Sequence, residues 1–250
     1  MNKILFVDLD DTLFQTLAKY SGDSTLEPVA YYKSGEPCSY ASQKQRSLFS
    51  FFDTNMTVIP TTARDLDAFR RVNLGFTSYA ICNFGGTIIL PSGEIDRIWE
   101  QQITTHLTSL VPSLHLLLAE INNFCAASNF PGRAKIISDY GTDFYLVFKD
   151  PEKQLHRLDI VEREIILPWL AMQDKAFFVH KNANNLAVVP SSINKAHAVE
   201  YLISIFKKSD KDLITFGMGD SRTDAKFMAL CDYAITPKTS QLASHMELAQ

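Results

Sequence analysis

The sequence predicts an α/β protein, a parallel-sheet domain into which a block of α+β character is inserted. Short apolar runs rich in branched residues alternate with helical patterns near both ends of the 250-residue chain. Such alternation is typical of a parallel sheet covered on both faces by helices. The middle of the chain instead combines long helical patterns with paired strand-like runs. We therefore expect an α/β core formed by residues 1–84 and 190–250, and an α+β domain formed by residues 85–189.

Five apolar runs are the expected strands of the parallel sheet, at residues 3–7, 55–61, 77–82, 212–217 and 233–236. Pro60 stands near the end of the second run, where a proline disturbs a strand least. Helical spacing of apolar residues occurs between these runs, at residues 65–73, 194–206 and 223–230. Ser191 or Ser192 is the expected cap of the second of these helices.

The middle block has the pattern of helices and hairpins. Hairpins are expected at residues 85–95, 134–148 and 175–189. Helical spacing covers residues 101–127, where Pro112 can break the helix in two, and about residues 151–172. A smaller hairpin is expected at residues 28–40, between the first two strands of the core.

Composition and charge exclude several classes of partner. The net charge is −4, which disfavours a polyanion-binding surface, so no nucleic acid partner is expected. No run approaches the roughly 20 apolar residues of a membrane span, and Asp8 ends the apolar start of the chain too early for a signal peptide. The four cysteines are scattered, which favours reduced thiols and a cytoplasmic location. The oligomeric state has no signature in the sequence.

Carboxylates follow two of the expected strands. Asp8 and Asp10 follow the first, and Asp220 and Asp224 follow the fourth. Ligands of open parallel sheets bind outside the carboxyl ends of the strands, so these groups are expected to meet. Asp8 could attack phosphorus and form an acyl phosphate. Asp10 could protonate the leaving group and then activate water. In the alternative interpretation, the acidic residues after the first strand only cap a following helix.

Asp220 and Asp224 favour the catalytic interpretation over the structural one. Paired carboxylates are hard oxygen ligands suited to Mg²⁺. The ion would neutralise the clustered acids and let a phosphate dianion approach Asp8. Asp224 has three possible roles: it could hold a water ligand of the metal, orient Lys195, or interact as a first-turn acid with a helix dipole.

Thr62 and Lys195 complete the candidate site. Thr62 follows the second strand and could offer its hydroxyl and backbone N–H to a phosphate oxygen, with Thr61 as a competitor for this role. Lys195 stands at an expected helix start and could offset charge on Asp8 and on the transferring phosphoryl group. A single lysine is more often a solvated surface charge, so Lys195 gains weight only from its place in the chain.

These four motifs together resemble those of the haloacid dehalogenase superfamily. Asp-Leu-Asp-Asp-Thr at residues 8–12 resembles the first motif, and Thr62 before Ala63-Arg64 resembles the second. Lys195 matches the third, and Gly-Asp-Ser at residues 219–221 with Asp224 resembles the fourth. The resemblance implies a Rossmann-like core with a type IIB α+β cap between the second and third motifs. Such caps occur in Cof-type, sucrose-phosphate and trehalose-phosphate phosphatases and in phosphomannomutases.

The resemblance also implies roles for individual residues. Asp8 would be the nucleophile and Asp10 the general acid/base. Mg²⁺ would be held by Asp8, the backbone carbonyl of Asp10, and Asp220. Asp224 is a further candidate for the metal site. The segment Asn-Phe-Gly-Gly at residues 83–86 is similar to the Asn-Gly segment that leads into such caps. Asp11 and Ala63 stand where this branch often has glycine.

The expected function is therefore Mg²⁺-dependent hydrolysis of a small-molecule phosphate monoester, a sugar or polyol phosphate. Candidate substrate-binding residues in the core are Thr61 and Arg64. The candidates in the inserted domain are Asp139, Tyr140, Asp143, Tyr145, His180, Lys181, Asn182 and Asn184, any of which could instead be ordinary hairpin surface. Two alternatives remain open: a phosphosugar mutase of the phosphomannomutase kind, and a non-enzymatic protein that binds a phosphorylated ligand.

Overall fold

The computed structural model describes residues 2–21, 25–182 and 185–247. Two compact units are present. The core unit consists of Met1–Arg97 and Asn194–Gln250, and the insert unit consists of Ile98–Ile193. The first border therefore lies later than the expected position after residue 84. The reason is that the hairpin that follows residue 80 pairs with the core chain and remains part of the core unit.

The strands of the described residues are, in chain order, β1 Lys3–Val7, β2 Leu26–Tyr31, β3 Pro37–Ser42, β4 Thr57–Pro60, β5 Ala80–Cys82, β6 Thr87–Ile89, β7 Arg133–Asp139, β8 Thr142–Lys149, β9 Phe177–Asn182, β10 Asn185–Pro190, β11 Ile214–Met218 and β12 Tyr233–Ile235. The helices are α1 Gln43–Asn55, α2 Leu66–Phe69, α3 Arg97–Leu107, α4 Val111–Ala127, α5 Leu155–Val161, α6 Leu167–Ala171, α7 Lys195–Ser209, α8 Arg222–Met228 and α9 Gln241–Glu247. Short 3₁₀ turns cover Leu17–Lys19 and Asn83–Gly85, and a π-helical turn covers Glu162–Ile166.

The core unit is built on a parallel sheet in the order β12-β11-β1-β4. Ile4–Val7 of β1 are all buried, as expected for the central strand of a sheet covered on both faces. The strand expected at residues 77–82 is present in part as β5, but it is not a member of the four-stranded sheet. β5 pairs antiparallel with β6. It also lies beside the segment that follows β4, through a parallel bridge between Thr61 and Ile81 in which the Thr62 N–H donates to the Ile81 carbonyl.

Helices of the core unit differ from expectation where local hydrogen bonds compete. α1 was not predicted; it starts with a capping box in which Ser42 and Gln45 bind each other's backbone. α2 is shorter than predicted because the chain after it pairs with the predicted small hairpin β2–β3, and the Asn73 N–H donates to the Val29 carbonyl. The cap of α7 is Asn194 rather than Ser191 or Ser192, since the Asn194 side chain accepts from the Ala196 N–H.

The insert unit is an antiparallel sheet in the order β7-β8-β10-β9, covered by helices. Its core includes Leu114 and Ile121 of α4, Leu146 of β8 and Trp169 of α6. α3 and α4 are separate helices, and Pro112 lies in the first turn of α4, as predicted. In the described residues no single helix is long and apolar enough to cross a membrane, although α3 and α4, bent by 63°, pass that test as a pair.

Candidate active site

Asp8 lies at the carboxyl end of β1, 6% exposed. Its N–H donates to the Met218 carbonyl at 2.8 Å, which continues the pairing of β1 with β11. One carboxylate oxygen accepts from the Lys195 ammonium at 2.6 Å, and the other accepts from the Thr12 hydroxyl at 3.1 Å. Residues 11–13 form a turn and not a helix. The interpretation of these aspartates as caps of a following helix is therefore wrong.

Lys195 is the first residue of α7 and is buried between two carboxylates. Its ammonium lies 2.6 Å from an Asp8 oxygen and 2.7 Å from an Asp224 oxygen. Burial alone would lower the pKa of Lys195, but the charges of Asp224 and Asp8 outweigh it and raise the pKa. Lys195 is thus a charged interior group and not a solvated surface lysine.

Asp224 lies in the first turn of α8 and is 1% exposed. One of its oxygens accepts from Lys195, and the other accepts from the N–H and the hydroxyl of Ser221, at 3.1 and 2.6 Å. Gly219 allows this approach, because a Cβ there would lie 2.5 Å from the Asp224 Cβ. Burial opposes ionisation of Asp224, but Lys195 and Ser221 outweigh it and lower its pKa. Among the three roles considered for Asp224, the contacts favour orientation of Lys195.

For Asp220 and Asp8, the effect of burial on the pKa outweighs that of the nearby positive charge. Burial, with the carboxylates of Asp224 and Asp11, raises the pKa of Asp220 to about 7. Burial also raises the pKa of Asp8; Lys195 offsets part of this effect, while Asp224 and Asp220 add to it. The Thr12 hydroxyl lies between the two, 3.1 Å from Asp8 and 3.4 Å from Asp220. With all three carboxylates ionised, the cluster would hold more negative charge than Lys195 balances, and this is why Asp8 and Asp220 resist ionisation.

A divalent cation fits this donor set. Carboxylate oxygens of Asp8, Asp220 and Asp224 lie within 4.8 Å of one another. Hard oxygen ligands of this kind suit Mg²⁺, and a doubly charged ion would balance the excess negative charge. Both oxygens of Asp224 and both oxygens of Asp8 already accept hydrogen bonds, whereas one Asp220 oxygen accepts from the Thr12 hydroxyl at the longer distance of 3.4 Å. Asp220 therefore has the freer carboxylate oxygens for direct ligation.

Asp10 is bound by Arg64. The Arg64 Nε and Nη2 atoms each lie 2.7 Å from a different Asp10 oxygen, a bidentate pair. The guanidinium also lies over the Phe14 ring, with its central carbon 5.3 Å from the ring centroid. Arg64 was expected to bind substrate; in the structure its guanidinium binds Asp10, and a contact with substrate stays a prediction.

The threonines after β4 have different partners. The Thr61 hydroxyl donates to the Ile59 carbonyl at 3.2 Å, so it points back along its own strand. The Thr62 hydroxyl accepts from the Arg64 N–H at 3.1 Å, and its own proton remains available for donation. The Thr62 N–H donates to the Ile81 carbonyl at 2.8 Å. Thr62 can therefore offer a phosphate its hydroxyl but not the N–H that was expected to take part.

Candidates in the insert unit do not form one cluster. Lys181 lies on the edge strand β9 and is bound by Asp159 and Glu162 at 2.5 and 2.6 Å. Asp139 and Tyr140 lie at the β7–β8 turn, on the other edge of the sheet. The remaining candidates are spread over the same sheet: Asp143 binds Ser138 and His115, Tyr145 lies in β8, and His180 pairs with Ala187 between β9 and β10. Asn184 and the side chain of Asn182 lie outside the described residues.

Comparison with known families decides what kind of protein this is. The model of the haloacid dehalogenase-like hydrolase family matches residues 5–240. The chain belongs to the haloacid dehalogenase-like hydrolases. All the core residues discussed above, Asp8 to Asp224, lie within the matched range. The chain is thus a hydrolase by family.

Solved structures show the same fold as this hydrolase. The sucrose-phosphatase of Synechocystis sp. PCC6803 is 16% identical, with a TM-score of 0.54 over 100% of this chain and 88% of that one. The C-terminal domain of the C. albicans trehalose-6-phosphate phosphatase is 15% identical, with a TM-score of 0.58 over 90% and 72%. Thermoplasma acidophilum 0175 is 15% identical, with a TM-score of 0.53 over 99% of each chain. No curated protein matches the sequence.

Two residues of the hydrolase site were not assigned a role from the sequence. Thr12 lies between Asp8 and Asp220, and Ser221 holds the second oxygen of Asp224. Thr12 belongs to the first motif, so its spacing from Asp8 was a signal for it. Ser221 follows Asp220 directly, and its capping box with Asp224 is the usual local pattern of serine three residues before an acid.

Proposed function

We propose that this hydrolase is a Mg²⁺-dependent phosphomonoesterase that acts through an aspartyl phosphate on a small organic phosphate, a sugar or polyol phosphate. The observation that carries the proposal is the buried contact of Asp8 with Lys195, beside the carboxylates of Asp220 and Asp224. Lys195 supplies one positive charge to three carboxylates. A phosphate dianion can therefore approach Asp8 only when a metal ion supplies further positive charge.

The first half of the reaction transfers the phosphoryl group to Asp8. An Asp8 oxygen forms a bond to phosphorus while the bond from phosphorus to the ester oxygen breaks, and Asp10 gives its proton to that oxygen as the alcohol leaves. Lys195 offsets the negative charge of the phosphoryl oxygens, and the Thr62 hydroxyl donates to one of them. Asp8 and Asp220 would hold the Mg²⁺, which would supply the remaining charge neutralisation.

The second half returns Asp8 to its starting state. Asp10 takes a proton from water, whose oxygen attacks phosphorus and breaks the bond to Asp8, so that inorganic phosphate leaves. Arg64 supports this half, because its two hydrogen bonds hold both Asp10 oxygens in place. In the first half, where Asp10 carries a proton, one of these bonds must open. Arg64 is therefore a positioning residue for Asp10.

Substrate selection is assigned to the insert unit, in the role of a cap. Its sheet carries hydroxyl, amide and carboxylate side chains, which are suited to the hydroxyl groups of a sugar or polyol. The similarity of the fold to sucrose-phosphatase and to trehalose-6-phosphate phosphatase supports sugar phosphates as the first substrates to try. Lys181 is neutralised by Asp159 and Glu162. This supports hydrolysis over a mutase, which would need a basic surface to hold a second phosphate.

A substrate panel tests the proposal. Release of inorganic phosphate is measured from sugar, polyol and nucleotide monophosphates with Mg²⁺ or with EDTA. We expect the highest kcat/KM with a sugar or polyol phosphate, and loss of release in EDTA. Absence of release from every member, with folded protein and Mg²⁺ present, would contradict the proposal. In that case a sugar bisphosphate activator tests the mutase, and phosphate binding without turnover indicates a ligand-binding protein.

Mg²⁺ is expected to raise the unfolding temperature more at about pH 8 than at about pH 5. The pKa of Asp220 in the metal-free protein is about 7, above its ordinary value of 3.8. The contribution of Asp220 to the free energy of unfolding is therefore fully present below the ordinary pKa of 3.8, and it is lost as the pH rises through about 7. A bound cation removes that loss. Thermal unfolding with and without Mg²⁺ at both pH values measures the effect.

Asp220→Asn is the matched control for this prediction, because its side chain is uncharged at either pH. In this variant the extra stabilisation by Mg²⁺ at the higher pH should shrink. An equal Mg²⁺ effect at both pH values in the wild type would argue against a metal site at Asp220.

A cytoplasmic location is also proposed. Cys38, Cys125 and Cys231 are free thiols in the structure, which supports a reducing compartment. Cell fractionation with an antibody against the chain tests this, and recovery outside the cytoplasm would contradict it.

A further inference from the structure

The turn Asn83–Gly85, at the end of β5, has an unusual backbone. All three residues have positive φ angles, of 54°, 58° and 102°, and all three are buried. A bulky residue such as Phe84 adopts this conformation at a cost of about 1–3 kcal/mol. Such strain persists only where the surrounding contacts determine the conformation, so the contacts of this turn identify what it is held for.

One side of the turn is bound to the segment that carries Thr62 and Arg64. The Asn83 N–H donates to the Arg64 carbonyl at 2.8 Å, and the Phe84 N–H donates to the Thr62 carbonyl at 3.2 Å. The Asn83 side chain donates to the Thr87 hydroxyl at 3.1 Å in the buried interior, which fixes the turn to the start of β6. The turn is therefore hydrogen-bonded to the backbone of Thr62 and Arg64, two residues of the proposed site.

The other side of the turn touches the start of α7. A Cβ on Gly85 would lie 2.4 Å from the Asn194 carbonyl oxygen and 2.9 Å from the Lys195 backbone nitrogen. Asn194 caps α7, and Lys195 is its first residue. No side chain fits between the turn and this helix start. The position of the turn thus sets how closely the backbone of Lys195 can approach Thr62 and Arg64.

We propose that the turn Asn83–Gly85 is a positioning element of the active site, and that Gly85 acts through Lys195. The turn joins the two loops that deliver Thr62 and Lys195, and the missing side chain at Gly85 lets the Lys195 ammonium reach Asp8. This inference rests on the proposed phosphohydrolase function and assigns to it a residue outside the four motifs.

Gly85→Ala is the test, and Gly93→Ala is its matched control. Gly93 has a φ of 86°, similar to Gly85, but a Cβ there would meet no atom within 4 Å. Both variants carry the cost of alanine at positive φ, and only Gly85→Ala also pushes on the start of α7. Since a displacement of about 1 Å can cost about 10²-fold, we expect a loss of that size in kcat for Gly85→Ala, with a small change in KM. Gly93→Ala should keep the wild-type kcat.

A double-mutant cycle separates positioning from general damage. In a Lys195→Met background, assayed with an activated aryl phosphate, Gly85→Ala should cause little further loss. An equal factor in both backgrounds, or equal kcat for Gly85→Ala and Gly93→Ala, would overturn the proposal. If Gly85→Ala does not fold, Thr87→Val provides the second variant. It loosens the turn without a clash and should lower kcat more than KM; an unchanged kcat would overturn the proposal.

Failure of the proposed function has a different signature. In that case the wild type itself releases no phosphate in a manner that needs Mg²⁺ and Asp8. The contact is then measured by thermal unfolding of the same four proteins of the cycle. A decrease in Tm of the double variant that is smaller than the sum of the decreases in the two single variants supports the coupling. A decrease equal to that sum overturns it.

Discussion

Replacing Asp8 by asparagine is expected to lower kcat for phosphate release about 10⁴-fold while the fold stays intact. The amide oxygen of asparagine is a poor nucleophile and cannot form an acyl phosphate with phosphorus. The substitution also removes a negative charge from a cluster that is short of cations, since the pKa of Asp8 is raised by its burial. The variant should therefore be at least as stable as the wild type without metal.

Asp11→Asn is the matched control for Asp8→Asn. Asp11 lies three residues further along the same loop; its carboxylate pairs at 2.5 Å with Lys19 and acts on the cluster through its charge, which helps to raise the pKa of Asp220. This variant should retain most of the wild-type kcat. Initial rates with the best substrate of the panel, in saturating Mg²⁺, give the comparison. Comparable losses in both variants would show that charge near the loop, and not a nucleophile at Asp8, determines the rate.

Replacing Lys195 by methionine is expected to reduce both activity and stability. Lys195 balances Asp8 and Asp224, both of which are buried. Removing one partner of a buried ion pair costs about 3–5 kcal/mol, because the remaining charge has lost its compensation. The loss in the free energy of unfolding should be smaller at low pH, where the carboxylates can take up protons. Denaturant unfolding at neutral and acidic pH measures the loss in the free energy of unfolding, and initial rates of phosphate release measure the loss of activity.

Lys208→Met is the control for the lysine variant. Lys208 lies on the same helix, α7, but its side chain is exposed to solvent. We expect a change in stability within about 0.5 kcal/mol, as for most surface substitutions, and no change in kcat. If Lys195→Met is no less stable than Lys208→Met, the buried ion pairs do not hold the start of α7 in place.

The sequence predicted the core of the candidate site because strand ends are easy to locate. Asp8 follows a buried strand, and Asp220 follows its parallel neighbour. Since parallel strands end at one edge of a sheet, the two carboxylates had to lie near each other. Lys195 required the motif order as well, because nothing in its local sequence distinguishes it from a surface lysine. The structure brings it to Asp8, and its catalytic role remains a prediction.

Contacts that depend on tertiary packing could not be predicted from the sequence. Arg64 had several possible partners, and its geometry with Asp10 depends on how the loop after β4 turns. β5 had the pattern of another parallel strand, but it pairs with β6 in a hairpin. Lys181 is paired with helical carboxylates that lie about twenty residues earlier in the chain. In each case several pairings satisfy the local pattern, and packing selects one of them.

The most direct measurement is to trap the phosphorylated enzyme. The Asp10→Asn variant, which lacks the base that activates water, is mixed with Mg²⁺ and an activated aryl phosphate as substrate, because an aryl leaving group departs without a general acid. The mixture is quenched in acid and reduced with borohydride, which converts an aspartyl phosphate to homoserine. Trypsin then releases residues 4–19, which contain Asp8, Asp10 and Asp11, and tandem mass spectrometry locates the modified position. We predict homoserine at position 8, only when substrate and Mg²⁺ are both present. Turnover of substrate by the wild type with no modification of Asp8 in the trapped variant would contradict an aspartyl phosphate mechanism.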